Sequence, residues 1–264
     1  MLEAIQAEGT SKALKILDVS LNKITSTGIG LLVQIFSLYF LTVRANQIND
    51  ESMYHFQTYN TLQLLDISNN SITDAGIKLL SSHSHLKFLA IENNKITPKS
   101  FKYLAKMPAL EELWVADNNL SGQGLHYLIQ SKSLISLNLE SNQFTSKDVL
   151  PLAEMCLTSL NVTDNLITAE GALVLRQINT LKTLYLRDNI ISDEDKTILQ
   201  EDNPIKIANN IRQRGYIIAV PTLRRIGIFC MKNYTKNSRD REKILALLPD
   251  DLKNELQSKV DLIL

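Results

Sequence analysis

The residue types that most often perform catalysis or bind metals are few in this chain and poorly spaced for either task. The two cysteines, Cys156 and Cys230, lack metal-binding or redox spacing. The four histidines are His55, His83, His85 and His126. None of them forms a metal-ligand pair, because His83 and His85 are two residues apart and would face different directions, and the others lie in separate segments. Glu111 and Glu112 are adjacent and cannot converge on one substrate, and no glycine-rich phosphate loop occurs. The sequence therefore predicts no enzyme, no metal site and no cofactor.

The chain has an ordinary globular composition, but its charged residues are unevenly distributed along the sequence. The 264 residues are 44% hydrophobic and 21% charged, and their formal net charge is zero. Bulk charge therefore predicts no polyanionic partner such as nucleic acid. Residues 1–203 carry 16 basic and 22 acidic residues, whereas residues 204–264 carry 12 and 6. We therefore predict two domains of different kinds, residues 1–203 and residues 204–264.

A repeat of about 24 residues organises most of the first domain. The pattern L-x-x-L-x-L-x-x-N-x-I recurs eight times, and successive asparagines are 24 residues apart except for one interval of 23. The asparagines are Asn22, Asn46, Asn70, Asn94, Asn118, Asn142, Asn165 and Asn189. The first leucines of the pattern are Leu14, Leu38, Leu62, Leu86, Leu110, Leu134, Leu157 and Leu181. This spacing predicts stacked copies of one structural unit.

Each repeat is predicted to begin with a short strand and a turn. In a stretch such as residues 65–67, alternate side chains would face the core, and successive strands would form one parallel sheet. Where the chain leaves the sheet, backbone groups lose their ladder partners. A buried asparagine amide can both donate to and accept from those groups. All eight asparagines are therefore predicted to be buried and hydrogen-bonded to backbone.

The second half of each repeat is predicted to form a short helix. Apolar residues three positions apart would face the core, and these pairs are Ile29/Leu32, Met53/Phe56, Ile77/Leu80, Phe101/Leu104, Leu125/Leu128, Val149/Leu152 and Ala172/Leu175. The residues expected to cap these helices are Thr73, Thr97, Ser121, Thr145 and Thr168. Pro98 fits the first turn of its helix.

Over residues 14–191 the repeats resemble the leucine-rich repeat family. Segments such as ITDAGIKLL and ITAEGALVL are similar to its ribonuclease-inhibitor-like class, and the EGAL phrase is similar to the GALA-type repeats of effectors from intracellular bacteria. The resemblance implies an α/β fold, a right-handed horseshoe-like solenoid of about eight 24-residue repeats, followed by a small helical C-terminal domain. Some such effectors carry a ligase domain with a Cys-x-Asp motif, which neither cysteine here matches. Cys156 is instead predicted to be packed.

The outward strand positions of such a solenoid would line its concave face. They lie six, four and two residues before each asparagine, and the first of them is apolar in the first four repeats. Contiguous exposed apolar surface usually marks an interaction site, and tryptophan, tyrosine and arginine are frequent anchors. The candidate partner-binding residues are Ile16, Phe40, Arg44, Leu64, Phe88, Glu92, Trp114, Tyr185 and Arg187. Alternatively, a flanking segment of the chain or a neighbouring molecule covers this surface.

Residues 204–264 are predicted to form helices that cap the last repeat. Residues 204–243 contain ten basic and two acidic residues. Their basic helix face is predicted either to be exposed to solvent or to contact an anionic membrane surface. Part of this region also resembles the SOCS or VHL box of ubiquitin-ligase substrate receptors. In that resemblance the ligase-adaptor contacts are Leu223, Gly227, Met231 and Leu252. Gly227 and Asp251 depart from its motifs, so a simple helical cap remains the alternative.

The functional expectation is a non-enzymatic protein-binding scaffold, acting as a bacterial effector on a eukaryotic host protein. The alternative is an adaptor of a host cullin ubiquitin ligase. We expect a monomer that binds no nucleic acid. The apolar run at residues 30–43 is too short to span a membrane, and the first residues lack a secretory signal pattern. With only two cysteines, a reducing, cytoplasm-like compartment is expected, including that of a host cell.

Overall fold

Eight parallel strands form one sheet, in the order in which they occur along the chain. The computed structural model describes residues 14–192 except residues 36, 58 and 60. The strands are β1 (Ile16–Asp18), β2 (Phe40–Thr42), β3 (Leu64–Asp66), β4 (Phe88–Ala90), β5 (Glu112–Trp114), β6 (Ser136–Asn138), β7 (Ser159–Asn161) and β8 (Thr183–Tyr185). Equivalent repeat positions face each other, as in the pairing of Leu89 with Leu113. The predicted single parallel sheet is confirmed.

Short helical segments connect the strands on one side of the sheet. The α-helices are α1 (Ser26–Leu32), α2 (Asp74–Leu80), α3 (Phe101–Leu104), α4 (Ser146–Val149) and α5 (Ala169–Leu175). The 3₁₀ helices are Asp50–Phe56, Pro98–Ser100, Leu125–Gln130 and Leu150–Glu154. The tighter 3₁₀ form suits connections of only one or two turns. The proposed domain boundary at residue 203 and the helices predicted after it lie outside the described residues.

The predicted helix starts are correct at four positions and wrong at one, and three of the four residues make the expected capping bonds. The Thr73 and Thr97 hydroxyls accept hydrogen bonds from backbone N–H groups two residues later, and Thr145 takes part in a capping box. Ser121 does not cap a helix, because the chain first passes through Gly124 at φ 92°, a conformation that glycine adopts readily. The Thr168 hydroxyl makes no capping bond and pairs with a serine hydroxyl of the preceding repeat instead.

A continuous apolar core lies between the sheet and the helical segments. All seven apolar pairs predicted for the helices are buried. The central leucine of each inner strand is also buried, and Leu113 on β5 has 0% exposure. The equivalent residues of the outermost strands, Leu17 and Leu184, are half-buried. Burial is therefore deepest in the middle repeats, because each repeat is covered by its neighbours.

The repeated asparagines join each repeat to the one before it. Asn70 shows the arrangement: its Nδ2 donates to the carbonyl oxygens of Val43 at 3.1 Å, Ile67 at 3.0 Å and Ser68 at 3.0 Å. Its Oδ1 accepts from the backbone N–H of Ile48 at 3.0 Å. The amide therefore replaces the ladder partners that the chain loses when it turns away from the sheet. Bonding of these asparagines to backbone is confirmed.

The prediction that all eight asparagines are buried is correct for three of them, is only partly met at four and is wrong at the first repeat. Asn118, Asn142 and Asn165 are buried, whereas the other inner asparagines are half-buried. Asn22 is exposed, and among the described residues its Nδ2 donates within its own repeat, to Val19 at 3.0 Å and Ser20 at 2.8 Å. The inner amides also reach a carbonyl of the preceding repeat, and this second layer of contacts covers them.

The residue before each asparagine has a left-handed backbone conformation. Its φ lies between 47° and 57° in every repeat, at Leu21, Ala45, Asn69, Asn93, Asp117, Ser141, Asp164 and Asp188. Asparagine and aspartate tolerate this conformation better than other residues with a side chain. Five of the eight positions hold one of these two types. The other three positions hold Leu21, Ala45 and Ser141, which tolerate this conformation less well.

Candidate protein-binding face

The strand face is the side of the sheet opposite the core, formed by residues six, four and two positions before each repeated asparagine. Side chains alternate along a strand, so these positions point away from the helical segments. On β5, for example, Leu113 is buried in the core while Glu112 and Trp114 on either side of it are partly or largely exposed. The strand face therefore points away from the apolar core.

An apolar row crosses the first four strands on this face. The cross-strand register places Ile16, Phe40, Leu64 and Phe88 side by side. Ile16 is 62% exposed, and the other three are half-buried. The row therefore occupies the predicted positions. Whether a partner contacts it remains a prediction.

Trp114 lies on the fifth strand beside the end of this row, where it is opposite Ala90, and its neighbours hold it in place. Its ring lies edge-on to Phe88, with centroids 5.1 Å apart and an interplanar angle of 76°. Its Nε1 donates to Glu112 Oε1 at 2.8 Å, and the same oxygen accepts from Ser136 Oγ at 3.3 Å. Trp114 remains 37% exposed. Such a fixed, partly exposed tryptophan can enter an interface at small conformational cost.

Three small residues near the centre of the strand face are buried, although the sequence places them at outward positions. Ser68, Ala90 and Ala116 are 0%, 2% and 6% exposed. The carboxylate of Glu92 accepts a hydrogen bond from Asn138 Nδ2 at 3.3 Å. These two residues lie two repeats apart, so the bond spans the intervening repeat. Outward positions are therefore not uniformly accessible, because small side chains there can be buried among larger neighbours.

Glu92 belongs to an acidic cluster that consists of Asp66, Glu92, Asp117 and Glu140. Burial of the Glu92 carboxyl is the main cause that raises its pKa, and the nearby charge of Asp66 raises it further. The Arg44 guanidinium acts in the opposite direction, while Asp117 and Glu140 add to the increase in pKa. Carboxylates that repel each other disfavour their charged forms. Within the free protein, the charge on Glu92 is therefore incompletely compensated.

Sequence reasoning selected Glu92 and Arg44 but missed the acids around them. The sequence did contain a signal for this cluster, because aspartate and glutamate recur at outward and turn positions of neighbouring repeats.

The other two candidates, Tyr185 and Arg187, are exposed at the far end of the sheet. Four strand spacings separate β8 from β4, roughly 19 Å. The structure therefore groups the apolar row with Trp114 and Glu92, but not with Tyr185 and Arg187.

The remaining candidate contacts lie outside the described residues: Leu223, Gly227, Met231 and Leu252. Within the described part of the chain, no group of three or more metal-ligating side chains comes together. No helix there is both long and apolar enough to cross a membrane.

The residues considered for chemistry have ordinary structural surroundings. His83 is buried, and its Nε2 lies 2.8 Å from the carbonyl oxygen of Tyr59. Its Nδ1 accepts from the backbone N–H of His85 at 3.3 Å. Burial lowers the pKa of His83 and so favours the neutral ring. Cys156 is an exposed free thiol, so the prediction that it is packed is wrong: it lies just before a core leucine, and its own side chain points to solvent.

Comparisons with known proteins agree with the repeat pattern. A sequence profile of the family described as "Leucine Rich repeat" matches residues 10–33, 60–81, 130–153 and 155–175. An internalin (inlF) from Listeria monocytogenes has a similar structure, with 27% identity and a TM-score of 0.54 over 69% of this chain. Internalin C2 from the same bacterium has 25% identity and a TM-score of 0.53, covering 70% of this chain and 76% of its own. This chain spans 50% of the length of the first internalin. No curated protein matches it in sequence.

Proposed function

We infer that this leucine-rich repeat protein is a non-enzymatic scaffold that binds a protein partner on its strand face. This inference rests on the apolar row, which lies on the side of the sheet that faces away from the core. The row consists of Ile16, Phe40, Leu64 and Phe88. Trp114 packs against the end of that row and remains partly exposed. A contiguous apolar patch next to an aromatic anchor is characteristic of a protein interface.

We further propose that the protein is a bacterial effector whose partner is a eukaryotic host protein. The support is the similarity of its repeats to those of GALA-type effectors, together with the bacterial origin of both internalins. The exposed thiol of Cys156 suits a reducing compartment such as host cytoplasm. In this proposal the protein acts there as a monomer.

Affinity capture from a eukaryotic lysate tests the proposed face when it is combined with two matched variants. Phe88→Ser shortens an aromatic residue of the apolar row, and Tyr54→Ser makes the equivalent change at a 66% exposed residue on the helical side. Burying a large apolar side chain contributes about 1.5–3 kcal/mol, so Phe88→Ser should weaken partner binding about tenfold or more. Tyr54→Ser should bind as the unchanged protein does. Adding Trp114→Ala to Phe88→Ser should nearly abolish binding.

Two results would contradict this proposal. A partner lost from Tyr54→Ser but retained by Phe88→Ser would place the site on the helical side. A large fall in the melting temperature of the Phe88→Ser protein, with unchanged partner affinity, would mean that the protein's own chain covers the apolar row. Affinity and melting temperature are therefore measured on the same preparations.

A ligase adaptor is the second candidate, favoured by the SOCS- or VHL-box-like pattern of Leu223, Gly227, Met231 and Leu252. In that proposal the strand face selects a substrate and the C-terminal region recruits a cullin complex. Elongin or cullin subunits should then appear in the captured material, and a Leu223→Ala, Leu252→Ala double variant should lose them. Capture of those subunits by the double variant as well would exclude this arrangement.

A further inference from the structure

The strand face carries an excess of negative charge. Its outward positions hold five acidic residues, Asp18, Asp66, Glu92, Glu112 and Glu140, and two arginines, Arg44 and Arg187. The turn that follows the strands adds Asp117, Asp164 and Asp188. Lys87, where β4 begins, forms an ion pair with Glu111 at 3.2 Å and so does not offset this excess. Such a surface attracts a partner of opposite charge.

The negative charge is concentrated beside the apolar row. Glu92 lies four residues after Phe88 in the same repeat, a separation on the order of 10 Å. Trp114 occupies the next strand, where it pairs with Ala90, the residue halfway between Phe88 and Glu92. Apolar, aromatic and anionic groups are thus within reach of one short segment of a partner.

The hydrogen bonds of the acidic cluster do not neutralise its charge, and Arg44 acts on Glu92 against three neighbouring acids. Among the described residues, the side-chain donor to the Glu92 carboxylate is Asn138, an uncharged amide at 3.3 Å. Glu140 is similarly bonded to the amide of Asn161, at 2.8 Å. Neutral donors orient these carboxylates without neutralising them. A guanidinium or ammonium group would supply the missing charge and could also lie against the Trp114 ring.

We propose that the strand face recognises a protein segment in which an arginine or lysine lies close to a large apolar residue. The apolar side chain packs on Phe88 and its row, and the cation binds at Glu92 within the acidic cluster. This inference names the chemistry of the partner and rests on the proposed function. The basic residue provides specificity, because an uncharged or acidic segment would leave the carboxylates uncompensated.

A random peptide display library, selected on the immobilised full-length chain, provides the test. Each enriched peptide is synthesised, and its affinity is measured for the unchanged protein and for Phe88→Ser, Glu92→Lys and Glu51→Lys. Glu51→Lys makes the same charge reversal at an exposed residue on the helical side. The expected peptides bind at least about tenfold more weakly to both Phe88→Ser and Glu92→Lys, bind Glu51→Lys normally and contain arginine or lysine beside an apolar residue.

The possible outcomes separate this inference from the proposed function. Peptides that are sensitive to Phe88→Ser but indifferent to Glu92→Lys, or that contain no excess of basic residues, would overturn the inference alone. Peptides indifferent to Phe88→Ser, or the absence of any enriched peptide, would count against both. The Glu92→Lys protein should melt at the same or a higher temperature, because the change relieves repulsion among the acids. Glu92→Gln keeps an oxygen that can accept the Asn138 bond, so it serves as the reference for stability. If both variants melt at a lower temperature than the unchanged protein, the negative charge of Glu92 is already paired by a cation of the chain itself, which would also overturn the proposal.

Discussion

Replacing Asn118 with alanine tests the role of the repeated asparagines. Its Nδ2 donates to the carbonyl oxygens of Ile91 at 2.9 Å, Val115 at 3.2 Å and Ala116 at 3.0 Å. Its Oδ1 accepts from the backbone N–H of Asn94 at 3.0 Å. The side chain is buried, so water does not readily replace these bonds.

The expected cost depends on which backbone groups keep a partner after the change. The Ile91 and Val115 carbonyls also accept from the asparagines of the neighbouring repeats, and the Ala116 carbonyl also accepts from a backbone N–H. The Asn94 N–H is the group left unsatisfied. An unsatisfied buried donor costs about 1–3 kcal/mol, and we expect Asn118→Ala to lower the free energy of unfolding by that amount.

Urea unfolding, followed by far-ultraviolet circular dichroism and by Trp114 fluorescence, measures this cost. Asn22→Ala is the matched control, because that asparagine is exposed and its bonds within residues 14–192 stay inside its own repeat. It should cost less than about 0.5 kcal/mol. Asn118→Asp preserves the shape but places a carboxylate among carbonyl oxygens, so it should be at least as destabilising at neutral pH as the alanine variant. Equal effects at Asn118 and Asn22, or an Asn118→Asp protein of unchanged stability, would refute the hydrogen-bond explanation.

Three further predictions concern packing, backbone strain and protonation. Leu113→Ala should destabilise the protein by about 2–5 kcal/mol, since the residue is fully buried. Glu112→Ala removes solvent-accessible hydrogen bonds from Trp114 and Ser136, so it should cost no more than about 1.5 kcal/mol. Similar shifts in urea midpoint for the two variants would mean that the strand register is wrong. Leu21→Asn should stabilise the protein by up to about 1 kcal/mol, because asparagine tolerates the left-handed φ of 57° better than leucine does. Little packing is lost, since Leu21 is 84% exposed. A lower urea midpoint would contradict the strain assigned to this turn. The pKa of His83 is lowered by burial, so the unfolded chain binds more protons as the pH falls through about 6.5. Stability should therefore decrease below that pH, and His83→Gln should reduce the decrease measured by thermal melting; an unchanged pH profile would indicate that other groups cause it.

The sheet could be predicted from the sequence because the information is repeated eight times. A single stretch of three strand residues is ambiguous, but leucines and asparagines at a nearly constant interval specify the strand, the turn and the cross-strand register together. The pairing of Phe88 with Leu64 and Glu112 follows directly from that interval. The same interval predicted the apolar row on the strand face.

Local conformation was less predictable where a neighbouring repeat decides it. Ser121 has the composition of a helix cap, but the left-handed turn at Gly124 delays the helix to Leu125. Thr168 occupies the capping position, yet its hydroxyl pairs with Ser146 of the preceding repeat at 2.7 Å. The Thr168 outcome depends on a contact 22 residues away along the chain, which a local pattern does not include.

The sequence alone determined the fold of residues 14–192, the placement of their core and the direction of their outward side chains, because these properties follow from periodicity. Only the tertiary structure decided which outward side chains act together. Glu92 reaches Asn138 across an intervening repeat. The raised pKa of Glu92 likewise arises from burial and from charges on several repeats. Burial and electrostatic interaction depend on distances in space between stacked repeats, so they emerge only once the solenoid is assembled.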